Sequence, residues 1–102
     1  MSHGLGDSEI EVALSGLPGW VLENDQLVKT FVCANFREAV TFLMRLSFEA
    51  EEMNHHPELK NVYNRVQIAL TTHEAGGKVT EKDVKLAKKI EALAPKVETS
   101  AS

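Results

Sequence analysis

Cysteine is nearly missing from this chain: Cys33 stands alone, so no intrachain disulfide can form and packing must hold the fold. Without a CxxC or a basic neighbourhood, Cys33 reads as a small core residue in a strand and not as a reactive thiol. Proline is as sparse, and each of Pro18, Pro57 and Pro95 marks a place where regular structure should stop. Basic residues are outnumbered, 11 Lys and Arg against 15 Asp and Glu, giving a net charge of −4 that argues against a large phosphate-binding surface and leaves room only for a local basic patch. No apolar run is long enough to span a bilayer, and the residues from Met1 to Asp7 lack a basic stretch followed by an apolar one. The expectation is a protein without nucleic acid or membrane partners, with the cytoplasm as its default location. Internal repeats and low-complexity segments are absent too. What is present, 43% hydrophobic and 25% charged residues over 102 positions, fits one globular domain, 1–102, with about 1–7 and 96–102 flexible.

Periodicity then orders the chain. Ile10, Val12, Ala13, Leu14 and Leu17, closed by Gly16 and Pro18, predict a short helix. Strand-forming residues from Trp20 to Glu23 and from Leu27 to Cys33 flank Asn24 and Asp25, which are good hairpin-turn residues. Trp20 should be core, with one edge able to line a pocket for a flat ligand. Asn35 offers an N-cap with Glu38 three residues on, and Phe36, Ala39, Val40, Leu43, Ser47 and Ala50 follow at helical spacing. A second stripe of Phe42, Leu46 and Met53 widens the apolar surface and hints at a subunit interface, with partial exposure the plain alternative. Pro57 should end this long helix at about the His pair. Val62, Val66, Ile68 and Leu70 alternate with polar residues as one half-buried strand or two short ones, with Tyr63 packing at a sheet edge. Gly76 and Gly77 supply a turn, Thr80 and Asp83 a capping box, and Leu86, Ile90 and Leu93 a last helix stopped at Pro95. A hairpin with helices gathered on one face indicates α+β with an antiparallel sheet.

Three of the four histidines fall close together: His55 and His56 directly before Pro57, and His73 just past the strand region. Histidine both gives and takes protons near neutral pH, so imidazoles beside a carboxylate suit acid–base chemistry. If the helix persists, Glu51 and His55 are i and i+4 on one face, where the carboxylate could fix the ring's tautomer. His56 leaves that helix while His73 arrives at a strand end, so two elements can meet at one pocket. On spacing alone, a His pair before proline is more often a helix terminus, Glu51 and Glu52 a solvated face, and Asp83 only the capping partner of Thr80.

The full pattern is longer. Glu51, three residues on His55-His56-Pro57, then Tyr63, His73 and Asp83 at their intervals, resembles the signature of the pterin-4a-carbinolamine dehydratases. The flanking Asn61-Val62-Tyr63-Asn64, Thr71-Thr72-His73-Glu74 and Gly19-Trp20 are similar to the family's text as well. The resemblance implies a four-stranded antiparallel sheet with three helices packed on one face, assembled as a homodimer or homotetramer. It implies dehydration of 4a-hydroxytetrahydrobiopterin, or a related pterin, to the quinonoid dihydropterin, with no metal or organic cofactor. The functional partners would be an aromatic amino acid hydroxylase, which makes the carbinolamine, and a dihydropteridine reductase, which restores the tetrahydro form. By the same resemblance His55 and His73 are general acid and base candidates, His56 positions substrate, and Glu51 orients or charge-tunes His55. Asn54, Thr71, Thr72 and Glu74 match the pterin-binding stretches together with His55, His56 and His73. Several relatives carry an acidic residue where this chain has Asn54, so altered binding or pH dependence is expected rather than lost activity.

Two other classes compete. Some family members act as dimerisation cofactors of homeodomain transcription factors and distant ones as assembly factors, roles that would use the long helix. An intact Glu51, His55, His56 and His73 favours the enzyme, since a pure adaptor has no physical need of that set. Three imidazoles and a carboxylate could also satisfy zinc, but adjacent His55 and His56 tend to point apart and the family is metal-free.

Overall fold

The computed structural model describes residues 4–95. Chain order is α1 (Asp7–Ser15), β1 (Val21–Glu23), β2 (Gln26–Val32), α2 (Phe36–Met53), β3 (Glu58–Val62), β4 (Arg65–Leu70), a 3-10 turn (His73–Ala75) and α3 (Glu81–Leu93). Asn24 and Asp25 link β1 to β2 with φ of 52° and 60°, the left-handed region that these two residue types tolerate best. The sheet runs β1-β2-β4-β3, and every neighbouring pair is antiparallel. Register sets Leu27 against Leu70 and Phe31 against Val66, so these side chains share one face with Ile68. All five are buried in a single core with Ile10, Phe42, Leu46, Leu86 and Ile90 from the three helices. Thr30, Val32, Arg65 and Gln67 point the other way and are exposed. The fold is therefore α+β, a four-stranded antiparallel sheet with three helices on one face.

The tail from 96 lies outside the described residues, as do residues 1–3. Leu5 donates its N–H to the Val79 carbonyl at 2.8 Å, and α1 already starts at Asp7. The stripes of α2 need correction: the buried face takes Ala39 and Ala50 from the first and Phe42 and Leu46 from the second, whereas Phe36, Val40 and Ser47 are exposed. Packing against α3 selects that face, as the Lys89 to Glu49 hydrogen bond across the two helices shows. Of the two readings of the alternation after Pro57, the pair of short strands holds, broken by Tyr63 at φ 53° in the turn; the correction is Tyr63 itself, which is 66% exposed and does not pack at a sheet edge.

Trp20 is core as expected. Its ring meets Phe31 edge-on at 6.0 Å, Phe31 meets Phe42 at 5.0 Å, and the indole N–H donates to Glu91 Oε2 at 2.8 Å. Lys29 donates to the same carboxylate oxygen and to the Pro18 carbonyl, which ties the end of α3 to the hairpin. Cys33 is buried just past β2, and its thiol is pushed up from the ordinary range first by desolvation and second by Glu38. Because the folded state keeps the thiol protonated to higher pH than the unfolded chain does, this contribution to stability is present below the ordinary thiol range and lost above it. Native protein should resist a thiol-specific alkylating reagent at neutral pH and react fully in denaturant. Rapid stoichiometric labelling of folded protein would contradict this burial.

Candidate active site

Where α2 ends decides which carboxylate meets which imidazole. Helical geometry stops at Met53, and Asn54 takes φ 52° and ψ 43°, with its N–H bonded to Glu51 O and the His55 N–H bonded to Ala50 O, both at 3.0 Å. This pair of bonds is the Schellman closure, and asparagine is one of the few side-chain-bearing residues that accept its left-handed position. The helix thus ends before the His pair, and His55 is turned out of the i, i+4 relation to Glu51. The expected Glu51–His55 pair does not form. Glu51 Oε1 instead lies 2.9 Å from His56 Nε2, on the exposed surface.

His55 turns inward, 6% exposed, and its Nε2 sits 2.5 Å from Oδ1 of Asp83, which is 0% exposed. Asp83 is the N3 residue of α3, with Thr80 as N-cap, as the capping box required. Its second oxygen, Oδ2, accepts the Thr80 N–H at 2.9 Å and the Thr72 hydroxyl at 2.8 Å. Thr72 and Thr80 also bond to each other through their hydroxyls at 2.7 Å. An ionised carboxylate only accepts, so against an ionised Asp83 it is His55 Nε2 that donates. Every buried side-chain nitrogen and oxygen among the described residues is hydrogen-bonded, and no hydrogen bond to His55 Nδ1 joins it to another described side chain.

Sequence reasoning found Asp83 but placed it outside the chemistry. Its cap lies three residues away and is a local signal, whereas His55 is 28 residues away and only the tertiary fold brings it there. Thr72, expected to meet substrate, is wholly buried with its hydroxyl engaged by Thr80 and Asp83. Thr71 donates its hydroxyl to the Asp25 carbonyl. His73 and Glu74 begin the exposed 3-10 turn directly after Thr72, so Asp83 joins the His55 and His73 segments through the Thr72 hydroxyl. Asn54 is exposed beside them. A groove of about 1060 Å³ between α1 and α3 contains none of these histidines; polar convergence, not volume, marks the site. The zinc alternative needs three ligands about one point, and among the described residues no such group of His, Cys, Asp or Glu occurs.

An antiparallel sheet backed by three helices, with a buried Asp83–His55 pair and with His56 and His73 exposed, defines a small α+β protein. Residues 3–93 match the family described as pterin 4 alpha carbinolamine dehydratase, and the chain belongs to that family. A relative from Opitutus terrae, named as a pterin-4-alpha-carbinolamine dehydratase, is 52% identical over 87% of this chain and 92% of its own length. One of the same name from Thermomicrobium roseum is 50% identical over 88% of this chain and 96% of its own. A crystal structure described as a transcriptional coactivator/pterin dehydratase from Brucella melitensis superposes with a TM-score of 0.87 at 38% identity, covering 91% of this chain and 100% of that one.

Proposed function

We propose that this protein dehydrates 4a-hydroxytetrahydrobiopterin, or a close pterin relative, to the quinonoid dihydropterin and water by histidine acid–base catalysis. The observation that carries the reading is the buried Asp83–His55 pair, which costs desolvation and commits one ring nitrogen of His55 to the carboxylate. In the proposed step His55 Nδ1 takes the proton from pterin N5, the N5–C4a bond becomes double, and the C4a–oxygen bond breaks. The hydroxyl departs as water with a proton from His73. His56, held by Glu51, orients the ring system, and Asn54, Thr71 and Glu74 supply polar contacts at its edge, largely through backbone groups. Thr72 acts behind the site, through Asp83. The physiological setting proposed is tetrahydrobiopterin recycling in the cytoplasm, between an aromatic amino acid hydroxylase and a dihydropteridine reductase. No helix among the described residues is long and apolar enough to cross a membrane.

The test is a coupled assay with enzymatically generated 4a-hydroxytetrahydropterin, comparing the parent with His55→Ala and His73→Ala. Each substitution should lower kcat by about 10²- to 10⁴-fold, the range of a positioned acid or base. A parent no faster than the spontaneous reaction removes the enzyme reading; activity surviving both substitutions removes the site assignment.

A second reading rests on α2. Phe36, Val40, Met44 and Phe48 recur every four residues and are all exposed, and the edge strand β3 adds exposed Leu59 on the helix side of the sheet. This surface supports assembly as a homodimer or homotetramer, and it is also the surface a non-catalytic dimerisation or assembly role would use.

A further inference from the structure

His73 stands on a short loop closed by its own backbone bonds and anchored at Thr72, whose hydroxyl meets Asp83 and Thr80. Its own bonds are Thr72 N–H to Lys78 O at 3.0 Å, Ala75 and Gly77 N–H to Thr72 O at 3.1 Å each, and Gly76 N–H to His73 O at 2.9 Å. Gly76 and Gly77 both have positive φ, 75° and 77°, so the backbone that closes the loop is intrinsically permissive. A further tie comes from the turn of the first hairpin, some fifty residues earlier in the chain. Asp25 grips both ends of the loop: its carbonyl accepts the Thr71 hydroxyl at 3.2 Å on the entering side, and its carboxylate accepts from Lys78 Nζ at 3.2 Å on the leaving side. The Gly4 backbone passes so near that a Cβ there would lie 2.9 Å from Lys78 Cβ, and the adjacent Leu5 N–H to Val79 O bond fixes that approach.

We propose that Asp25 and Lys78 are positioning residues for His73, a clamp by which the hairpin turn holds the His73 loop in register with the Asp83–His55 pair. The inference rests on His73 acting on substrate, as proposed above. Neither residue touches the reacting atoms; both act through the loop. The pair is half exposed, so salt should weaken it, and its contribution to global stability should be small.

Asp25→Asn keeps a residue that tolerates the left-handed turn and its backbone carbonyl, but removes the charge; Lys78→Met keeps the stem. Each should lower kcat roughly 3- to 10-fold with KM little changed, because a displaced proton donor loses rate more than binding. High salt should bring the parent toward the variants. Amide hydrogen exchange at His73 to Gly77 reads the clamp without any assay, and should accelerate in both single variants while α2 and α3 stay protected. Parental exchange in that loop overturns the clamp whatever the rates do. Faster exchange with parental kcat overturns the positioning role while leaving the contact. A parent inactive as a dehydratase removes the function reading instead, and the exchange comparison still decides whether the clamp exists.

Discussion

Asp83→Asn should cut turnover by about 10²- to 10⁴-fold while leaving the fold in place, because an isosteric amide reverses the polarity of one hydrogen bond and keeps the others. The Oδ2 side of Asp83 accepts from the Thr80 N–H and the Thr72 hydroxyl, so the amide oxygen of asparagine must take that side. The NH₂ group then faces His55 Nε2, where the carboxylate oxygen Oδ1 stood. Two donors cannot share that bond, so the imidazole must give up its Nε2 proton and carry it on Nδ1. The lone pair that would take the proton from pterin N5 is then gone. The cap of α3 survives through the amide oxygen, and the stability loss should stay near about 1–2 kcal/mol, that of weakening charge-assisted hydrogen bonds. Nitrogen-15 chemical shifts of the His55 ring would report the tautomer change directly, alongside the coupled assay. Turnover within a few-fold of the parent, with the ring shifted as described, would mean that His55 is not the base. Asp83→Ala is the poorer experiment, since it strands His55, Thr72 and the Thr80 N–H together in the interior and destabilises the protein for reasons unrelated to catalysis.

How far these features can be read from sequence follows the range of the interactions behind them. The first hairpin is legible because Asn24 and Asp25 announce a left-handed turn between strand formers. The start of α3 is legible because Thr80 and Asp83 make a cap within one helical turn. The second hairpin is legible only as one of two readings, since its turn carries Tyr63 where glycine or asparagine would have signalled the left-handed φ, and the apolar alternation continues on both sides. The Glu51–His55 expectation failed through a single residue. Asn54 ends the helix one step before the histidines, and that step hands Glu51 to His56 and frees His55 for Asp83. The histidines, Asp83 and their spacing were visible from the start, whereas the pairing among them depends on a helix end and a long-range contact that periodicity does not encode.

Phe42→Ala and Phe48→Ala should differ sharply although both residues sit on α2 six positions apart. Phe42 is 2% exposed and meets Phe31 edge-on, so truncation removes apolar burial, an aromatic contact and a filled volume together. The cost should be about 3–5 kcal/mol, a large part of the roughly 5–15 kcal/mol that domains have in total. The urea midpoint should fall markedly with little change in slope, and by the same amount at every protein concentration. Phe48 is 66% exposed, and within one subunit its truncation should change stability by no more than about 0.5 kcal/mol. If the Phe36, Val40, Met44 and Phe48 row is covered by another copy of the chain, association contributes to the observed stability by mass action, and the Phe48→Ala deficit must grow as protein concentration rises. Sedimentation of the same samples should show dissociation of Phe48→Ala at concentrations where the parent is assembled. A Phe48→Ala variant that is parental in midpoint and sedimentation at all concentrations would leave the row as exposed surface and remove self-association through it. A Phe42→Ala midpoint close to the parent's would mean instead that the other stripe of α2 faces the core, which would move α3, and Asp83 with it, away from His55.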